Sequence, residues 1–289
     1  MHYEGNIIRP PSEANSLILQ VTTGCSHNRC TFCGAYQGQQ FQIKDDAIIE
    51  SDLEFASVHC TGQSTVFLAD GDALVIPQKR LLHLCGMIKE KLPWIRRIHL
   101  YANCRDILAR TPAELSELKR VGLGRIYMGL ESGHEKTLAA IDKGATAAEM
   151  IQAGQRVKKA KIFLSVTCLL GIAGIRYSLQ HAAETAEVLN QIEPNQIAIL
   201  TLMLLENTKI GQAAAAGTFQ MPDKLGLFQE LRIMVAALNV SRGQLQANHA
   251  SNYFSLDGRL PRDKDDFLAI IDRAIAGTLN LKPEALRGL

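Results

Sequence analysis

The stretch TTGCSHNRCTFC, Thr22 to Cys33, sets Cys25, Cys30 and Cys33 at the spacing C-x4-C-x2-C, and the reading of this stretch decides the fold around it. The chain has 7 cysteines, and the other ones, Cys60, Cys85, Cys104 and Cys168, are scattered without pair spacing, as buried small hydrophobes or surface thiols are. A structural zinc site wants four ligands, commonly from paired motifs, and no second C-x2-C or H-x3-H follows. The same spacing with a distant fourth cysteine is the plant-type pattern for a two-iron cluster, which belongs to small electron carriers. A third reading is a four-iron, four-sulfur cluster held by three thiolates, which leaves one iron open. An open coordination position is what metal catalysis uses.

Outward from the cysteines, short apolar runs at Leu17–Val21, Thr65–Ala69, Arg97–Tyr101, Arg125–Leu130, Ile162–Leu169 and Gln196–Leu202 read as strands. Between them lie helical patterns. Thr111-Pro112-Ala113-Glu114 carries an N-cap threonine, proline at the first helical position and glutamate at the third, so a helix is predicted from Pro112 to Val121. Thr146 and Glu149 repeat that logic for a helix through Lys159, and Pro77–Lys91 and Tyr177–Gln191 show helical spacing. Strand and helix alternate roughly six times, and the strands are continuous apolar runs, as in parallel sheets covered by helices. This predicts an α/β fold with parallel strands, without choosing between an open doubly wound sheet and a barrel. Gly24-Cys25, Asp70-Gly71-Asp72, Asn103, Glu131-Ser132, Gly171 and Thr201 all fall at or just past a strand's C-terminal end, where parallel β/α folds bind ligands. Each also has an ordinary reading: a turn glycine, a helix-capping acid, an Asx-turn asparagine.

On these residues the chain resembles the radical S-adenosylmethionine (SAM) enzymes. The resemblance covers residues 16 to 217. In that family the cysteine spacing is usually C-x3-C-x2-C, and this chain has one more residue between Cys25 and Cys30. Phe32 stands where the family carries an aromatic residue near the adenine. ADGDAL, Ala69 to Leu74, follows the second strand at the place of a Gly-Gly-Glu-like motif that receives the methionine amino group, with Asp70, Gly71 and Asp72 as candidates. YMGLESGHEKTLAAIDKGAT, Tyr127 to Thr146, is similar to the fourth-strand segment of methylthiotransferase, elongator-3 and coproporphyrinogen-oxidase-like members, where the glutamate at Glu131 faces the cofactor. LLGIAG, Leu169 to Gly174, falls where the fifth strand passes the adenine. The resemblance implies a partial (β/α)6 TIM-type barrel, a [4Fe-4S] cluster on Cys25, Cys30 and Cys33, bound SAM, and an external electron donor such as flavodoxin or ferredoxin. It implies reductive cleavage of SAM to a 5′-deoxyadenosyl radical that takes a hydrogen atom from a small substrate. Asn103, Ser132, Gly171 and Thr201 join the cofactor-binding candidates by their places on the rim. The alternatives are an iron-sulfur electron carrier or metal sensor without SAM chemistry, and an enzyme that breaks a different C–S bond of SAM.

Composition is in keeping with an enzyme of this kind. The 289 residues are 47% hydrophobic, enough for a substantial core, and a formal net charge of +2 offers no large field for a phosphate backbone. Nucleic acid is therefore not an expected partner. No apolar run spans a bilayer, and the N-terminus lacks the layout of a signal peptide, so a cytoplasmic protein is expected. Residues 1–15 are expected as an N-terminal extension, 16–217 as the barrel and 218–289 as a C-terminal extension capping it. Within the extension, Ser241 to Lys264 is predicted as a long irregular segment between two helices; its His249, Ser251, Asn252 and Tyr253 suit either a polar substrate, with His249 the candidate for turnover, or a capping loop that closes the barrel end with these side chains bonded to backbone. Neither an auxiliary cluster nor a cobalamin domain is expected.

Overall fold

The computed structural model describes residues 1–288. The chain forms two compact units, one made of Met1–Asn28, Ala35–Met128 and Arg156–Leu164, the other of Arg29–Gly34, Gly129–Gln155 and the chain from Ser165 onward. In the first unit, β1 (Leu17–Gln20), β4 (Thr65–Ala69), β5 (Arg97–Tyr101) and β6 (Leu123–Glu131) pair in that order, all parallel, and a two-stranded antiparallel ribbon joins β2 (Thr22–Thr23) to β3 (Gln42–Ile43). Helices α1 (Asp46–His59), α2 (Gln78–Lys91), α3 (Cys104–Leu108) and α4 (Pro112–Arg120) supply the crossovers, as parallel pairing requires. Phe67 meets Tyr101 and Tyr127 edge-on in the apolar cluster of this unit.

In the second unit the C-terminal end of β6 leads into α5 (Glu135–Ala140) and α6 (Ala147–Lys159). There β7 (Phe163–Leu170), β8 (Gln196–Thr201) and β9 (Gly243–Gln246) run parallel, and β10 (Asp257–Leu260) closes the order antiparallel to β9. The helices are α7 (Gly174–Ile192), α8 (Lys209–Ala215), α9 (Lys224–Ala237) and α10 (Lys264–Ile275), with α9 packed against both α7 and α10. None of the helices among the described residues is long and apolar enough to cross a membrane.

All six predicted strands are present, within two residues at each end. The segment from Ser241 to Lys264, predicted as irregular, instead contains β9 and β10. Its strands escape a pattern reading because Gly243–Gln246 buries only one large apolar side chain, Leu245, while the half-buried Gln246 donates to Asp257 and accepts from Gln196. Residues after 217 thus extend the parallel order itself. Helix α1 is hidden for the opposite reason: Asp52 is buried in it while Phe55 and Val58 are exposed.

Local signals that involve only neighbouring residues hold as read. Thr111 accepts from the Glu114 N–H and the Glu114 carboxylate accepts from Thr111 N–H, a complete capping box at the start of α4. Thr111→Ala removes it from an exposed helix end, and urea denaturation is expected to show a loss of about 1 kcal/mol.

Candidate active site

In the first unit four of the candidate positions converge. Gly24, at φ +69°, turns the chain into Cys25, and Gly24 O accepts from the Gly71 N–H at 3.2 Å. A Cβ on Gly71 would stand 2.8 Å from the Tyr36 ring, 3.0 Å from Cys25 Cβ and 3.1 Å from Gly24 O, so only glycine permits this approach. Asp72, fully buried, accepts on Oδ2 from Ser26 Oγ (2.6 Å) and Asn103 Nδ2 (2.9 Å). The same Asn103 amide lies 3.9 Å from Cys25 Sγ. Asn103 occupies the N-cap position of α3 without capping it, so its side chain serves the cysteine loop and not the helix. Arg105, two residues on, donates to Ser26 Oγ at 3.1 Å and pairs with Asp106.

The two acids of the motif differ. Asp70 accepts from the Tyr36 hydroxyl (2.8 Å) and the Gln20 amide (3.2 Å), while its N–H donates to Thr22 Oγ1 (3.0 Å). Both carboxylate oxygens of Asp70 are therefore committed to the protein. Asp72 Oδ1, in contrast, is buried with no hydrogen-bond partner. Burial first, and the neighbouring Asp106 second, push the Asp72 carboxyl well above the usual carboxylate range. A buried acid that lacks a donor and faces another acid is one that an ammonium group would relieve.

The second unit holds Cys30 and Cys33 in one turn, closed by Cys33 N–H to Cys30 O at 3.2 Å. Thr31 between them is stitched on both sides, donating to Ile141 O (2.9 Å) and accepting from Ile210 N–H (3.0 Å). Phe32 packs against the apolar cluster of Ile141, Leu169, Ile172, Leu202 and Ile210. Glu131 ends β6 at φ +63°, a left-handed backbone uncommon for a side chain of its size, and accepts from Lys143 Nζ at 3.0 Å; both side chains are about nine-tenths buried. A Cβ on Gly129 would fall on the Glu131 carboxylate. The buried Cys168 thiol, behind this acid, is pushed up by burial and then by Glu131.

Ser132, Gly171 and Thr201 lie at or just past the C-terminal ends of β6, β7 and β8, where the sequence places them, and each is hydrogen-bonded within the protein. Ser132 is fully buried with its Oγ on His181 Nδ1 at 2.7 Å, and the Gly171 N–H donates to the buried Glu230 at 2.7 Å. Thr201 donates through Oγ1 to Asn252 (2.8 Å) and through N–H to Ser251 Oγ (3.1 Å). Its side chain lines a small cavity with Leu170, Leu227 and Phe228, on the helix side of β8. The loop bearing His249 is anchored by these bonds. His249 Nδ1 accepts from Ser251 N–H (3.1 Å), and burial, then Lys282, hold the imidazole below its ordinary pKa. Lys143 is the residue that sequence reasoning missed: it lies inside the quoted fourth-strand segment, and an acid followed by a lysine twelve residues later carries no periodic signal.

The three thiols fit a thiolate-bound iron-sulfur cluster in chemistry. All three are partly exposed, and none of the seven cysteines is in a disulfide. Soft thiolates suit such clusters, and a side-chain N–H directed at a ligand sulfur, as from Asn103 to Cys25, is a usual means of tuning one. Among the described residues, no three His, Cys, Asp or Glu side chains are gathered to hold a single metal ion.

Residues 19–189 match the model of the radical SAM superfamily. Among solved structures, methylornithine synthase aligns at a TM-score of 0.55 with 15% identity, over 77% of this chain and 63% of its own. Coproporphyrinogen III oxidase from Escherichia coli, described as a radical SAM enzyme, aligns at 0.56 with 14% identity, over 76% and 51%. A radical SAM methyltransferase from Kitasatospora setae, with cobalamin and a [4Fe-4S] cluster bound, aligns at 0.57 with 14% identity, over 72% and 41%. The chain thus spans between 41% and 63% of the length of these structures. No curated protein matches it. The likeness in structure establishes the partial β/α barrel fold, and the family match covers more than half of the residues, including all three motif cysteines. The chain belongs to the radical SAM superfamily, enzymes that work with a [4Fe-4S] cluster and S-adenosylmethionine.

Proposed function

We propose that Cys25, Cys30 and Cys33 hold a [4Fe-4S] cluster with one open iron, and that the enzyme cleaves SAM reductively to abstract hydrogen from a small polar substrate. When bound, the cluster supplies the electron that splits SAM into methionine and a 5′-deoxyadenosyl radical. The observation that carries this reading is the buried Asp72 carboxylate beside the cysteine loop, with one oxygen held by Ser26 and Asn103 and the other without a donor. Its natural counterpart is the amino group of SAM. Asp70, bonded on both oxygens, instead fixes the turn that presents Asp72. Asn103 orients Asp72 and Cys25 through one amide, and Lys143 holds Glu131 toward its strand end. Phe32, on its apolar cluster, supplies a dry aromatic wall for the adenine. His249, kept neutral at physiological pH, suits a hydrogen-bond partner for substrate rather than a proton donor. A flavodoxin- or ferredoxin-like carrier would supply the electron.

Anaerobic reconstitution with iron and sulfide, followed by electron paramagnetic resonance, tests the assignment. A four-iron signal that shifts on adding SAM, with 5′-deoxyadenosine among the products, is expected of the wild type. Cys25→Ala, Cys30→Ala and Cys33→Ala should each lose that signal. A two-iron signal indifferent to SAM would instead make this an electron-carrying centre and end the proposal.

Asp72→Asn gives a second test, with opposite effects on binding and stability. Removing the negative charge is expected to weaken SAM binding roughly 10- to 100-fold, the range for a lost charged hydrogen bond, with cluster content unchanged. The folded-state pKa of Asp72 is raised, so the unfolded chain releases this proton first as pH rises, and ionisation disfavours the fold. The cluster-free Asn variant should therefore melt at or above the wild-type temperature at pH 7. The difference should close as pH falls below about 4, where both states of the wild type hold the proton.

A further inference from the structure

We propose that the buried pair Glu230 and His181, behind the strand ends and outside the motifs of the family, positions the two turns that face SAM. This rests on the reading above. Glu230 projects from α9 and His181 from α7, and neither side chain has any exposed surface. Glu230 Oε1 accepts the Gly171 N–H at 2.7 Å, and Oε2 accepts the Ser178 hydroxyl. Gly171 itself is at φ +82°, and a Cβ there would meet Leu227 and Met221 at 3.0 Å, so the turn after β7 is pressed onto the segment around α9 and pinned by one carboxylate.

His181 carries the connection to the turn after β6. Its Nε2 lies 3.4 Å from Glu230 Oε1, a close approach outside hydrogen-bond geometry, while Nδ1 meets Ser132 Oγ at 2.7 Å and Thr185 Oγ1 at 3.2 Å. Ser132 Oγ in turn accepts the His134 N–H (3.0 Å), and Thr185 Oγ1 accepts the Gly133 N–H (2.8 Å). The residue directly before these bonds is Glu131, in its left-handed conformation. Gly133 approaches α7 so closely that a Cβ would stand 2.4 Å from Glu184 O. Two consecutive strand ends, each with a backbone conformation that needs external support, are thus tied to the same buried acid and imidazole. Buried carboxylates are costly unless hydrogen-bonded, and retaining one here makes sense if the orientation of both turns depends on it. Ser132 and Gly171 then serve SAM from behind: they hold the turns that contact it.

The test uses the reconstituted holoenzyme and titrates SAM, reading the dissociation constant from the electron paramagnetic resonance shift. Glu230→Met keeps the volume but leaves the Gly171 N–H buried without an acceptor, and should raise the SAM dissociation constant about tenfold or more with iron and sulfide content unchanged. Glu230→Gln keeps an acceptor oxygen and should stay within about threefold of wild type. Thr185→Val, nearly isosteric, releases the Gly133 N–H and the longer contact to His181 while leaving Glu230 in place, and should weaken SAM in the same direction; it carries the test if the Met variant does not fold. Loaded Met or Val variants that bind SAM as tightly as wild type would show that the network only stabilises the fold. A wild-type holoenzyme that does not respond to SAM overturns the functional reading itself, and this inference with it.

Discussion

Gly71 has no side chain because Cys25, Tyr36 and the Gly24 carbonyl occupy the space one would take, and the site in the first unit depends on that approach. With the β4 turn pressed against the cysteine loop, Asp72 is carried out of water and beside Ser26 and Asn103. The Asn103 amide then reaches both the acid and the Cys25 sulfur. A β-carbon at position 71 would press first on the Tyr36 ring and then on Cys25 Cβ and the Gly24 carbonyl, so the approach is closest with glycine. One steric fact therefore sets both the charge environment of the acid and the hydrogen bonding of the thiol.

A division of labour follows among polar groups at the strand ends. Asp70, Ser132, Gly171 and Thr201 make their hydrogen bonds within the protein. Asp72 carries an unmet acceptor, and Glu131 a conformation stabilised by a lysine twelve residues on. Groups of the second kind lower the stability of the fold, and the rest of the packing must offset them. The large apolar cores of both units supply that margin, from Phe67 with Tyr101 and Tyr127 in one to Leu169, Ile172 and Leu202 in the other.

How far the sequence could be read depended on the range of each signal. Capping boxes at Thr111 and Thr146 and the continuous apolar strands were legible because they involve residues within one turn or one run. β9 was not legible, since its four residues are shaped by β8 and β10 beside it and by side-chain hydrogen bonds from Gln196 to Gln246 and from Gln246 to Asp257. The positions on the strand ends were legible as a set, but their roles were not: nothing in the order of residues separates Asp70 from Asp72. Only the placing of Tyr36 and Gln20 against one, and of Asn103 and Ser26 against the other, distinguishes an acid bonded on both oxygens from an acid with one oxygen left open.

By itself, the sequence determined the alternation of parallel strands and helices, the three thiols, and the acids and glycines at strand ends, because hydrophobic period, caps and motif spacing are properties of neighbouring residues. Tertiary structure alone decided which of those groups are satisfied and which remain open. Burial and hydrogen-bond partnership come from residues distant in the chain, as when Glu230 meets Gly171 across 59 positions and Asp72 meets Asn103 across 31. Such partners leave no periodic trace, so the chemistry of each acid emerged only once the fold had chosen its neighbours.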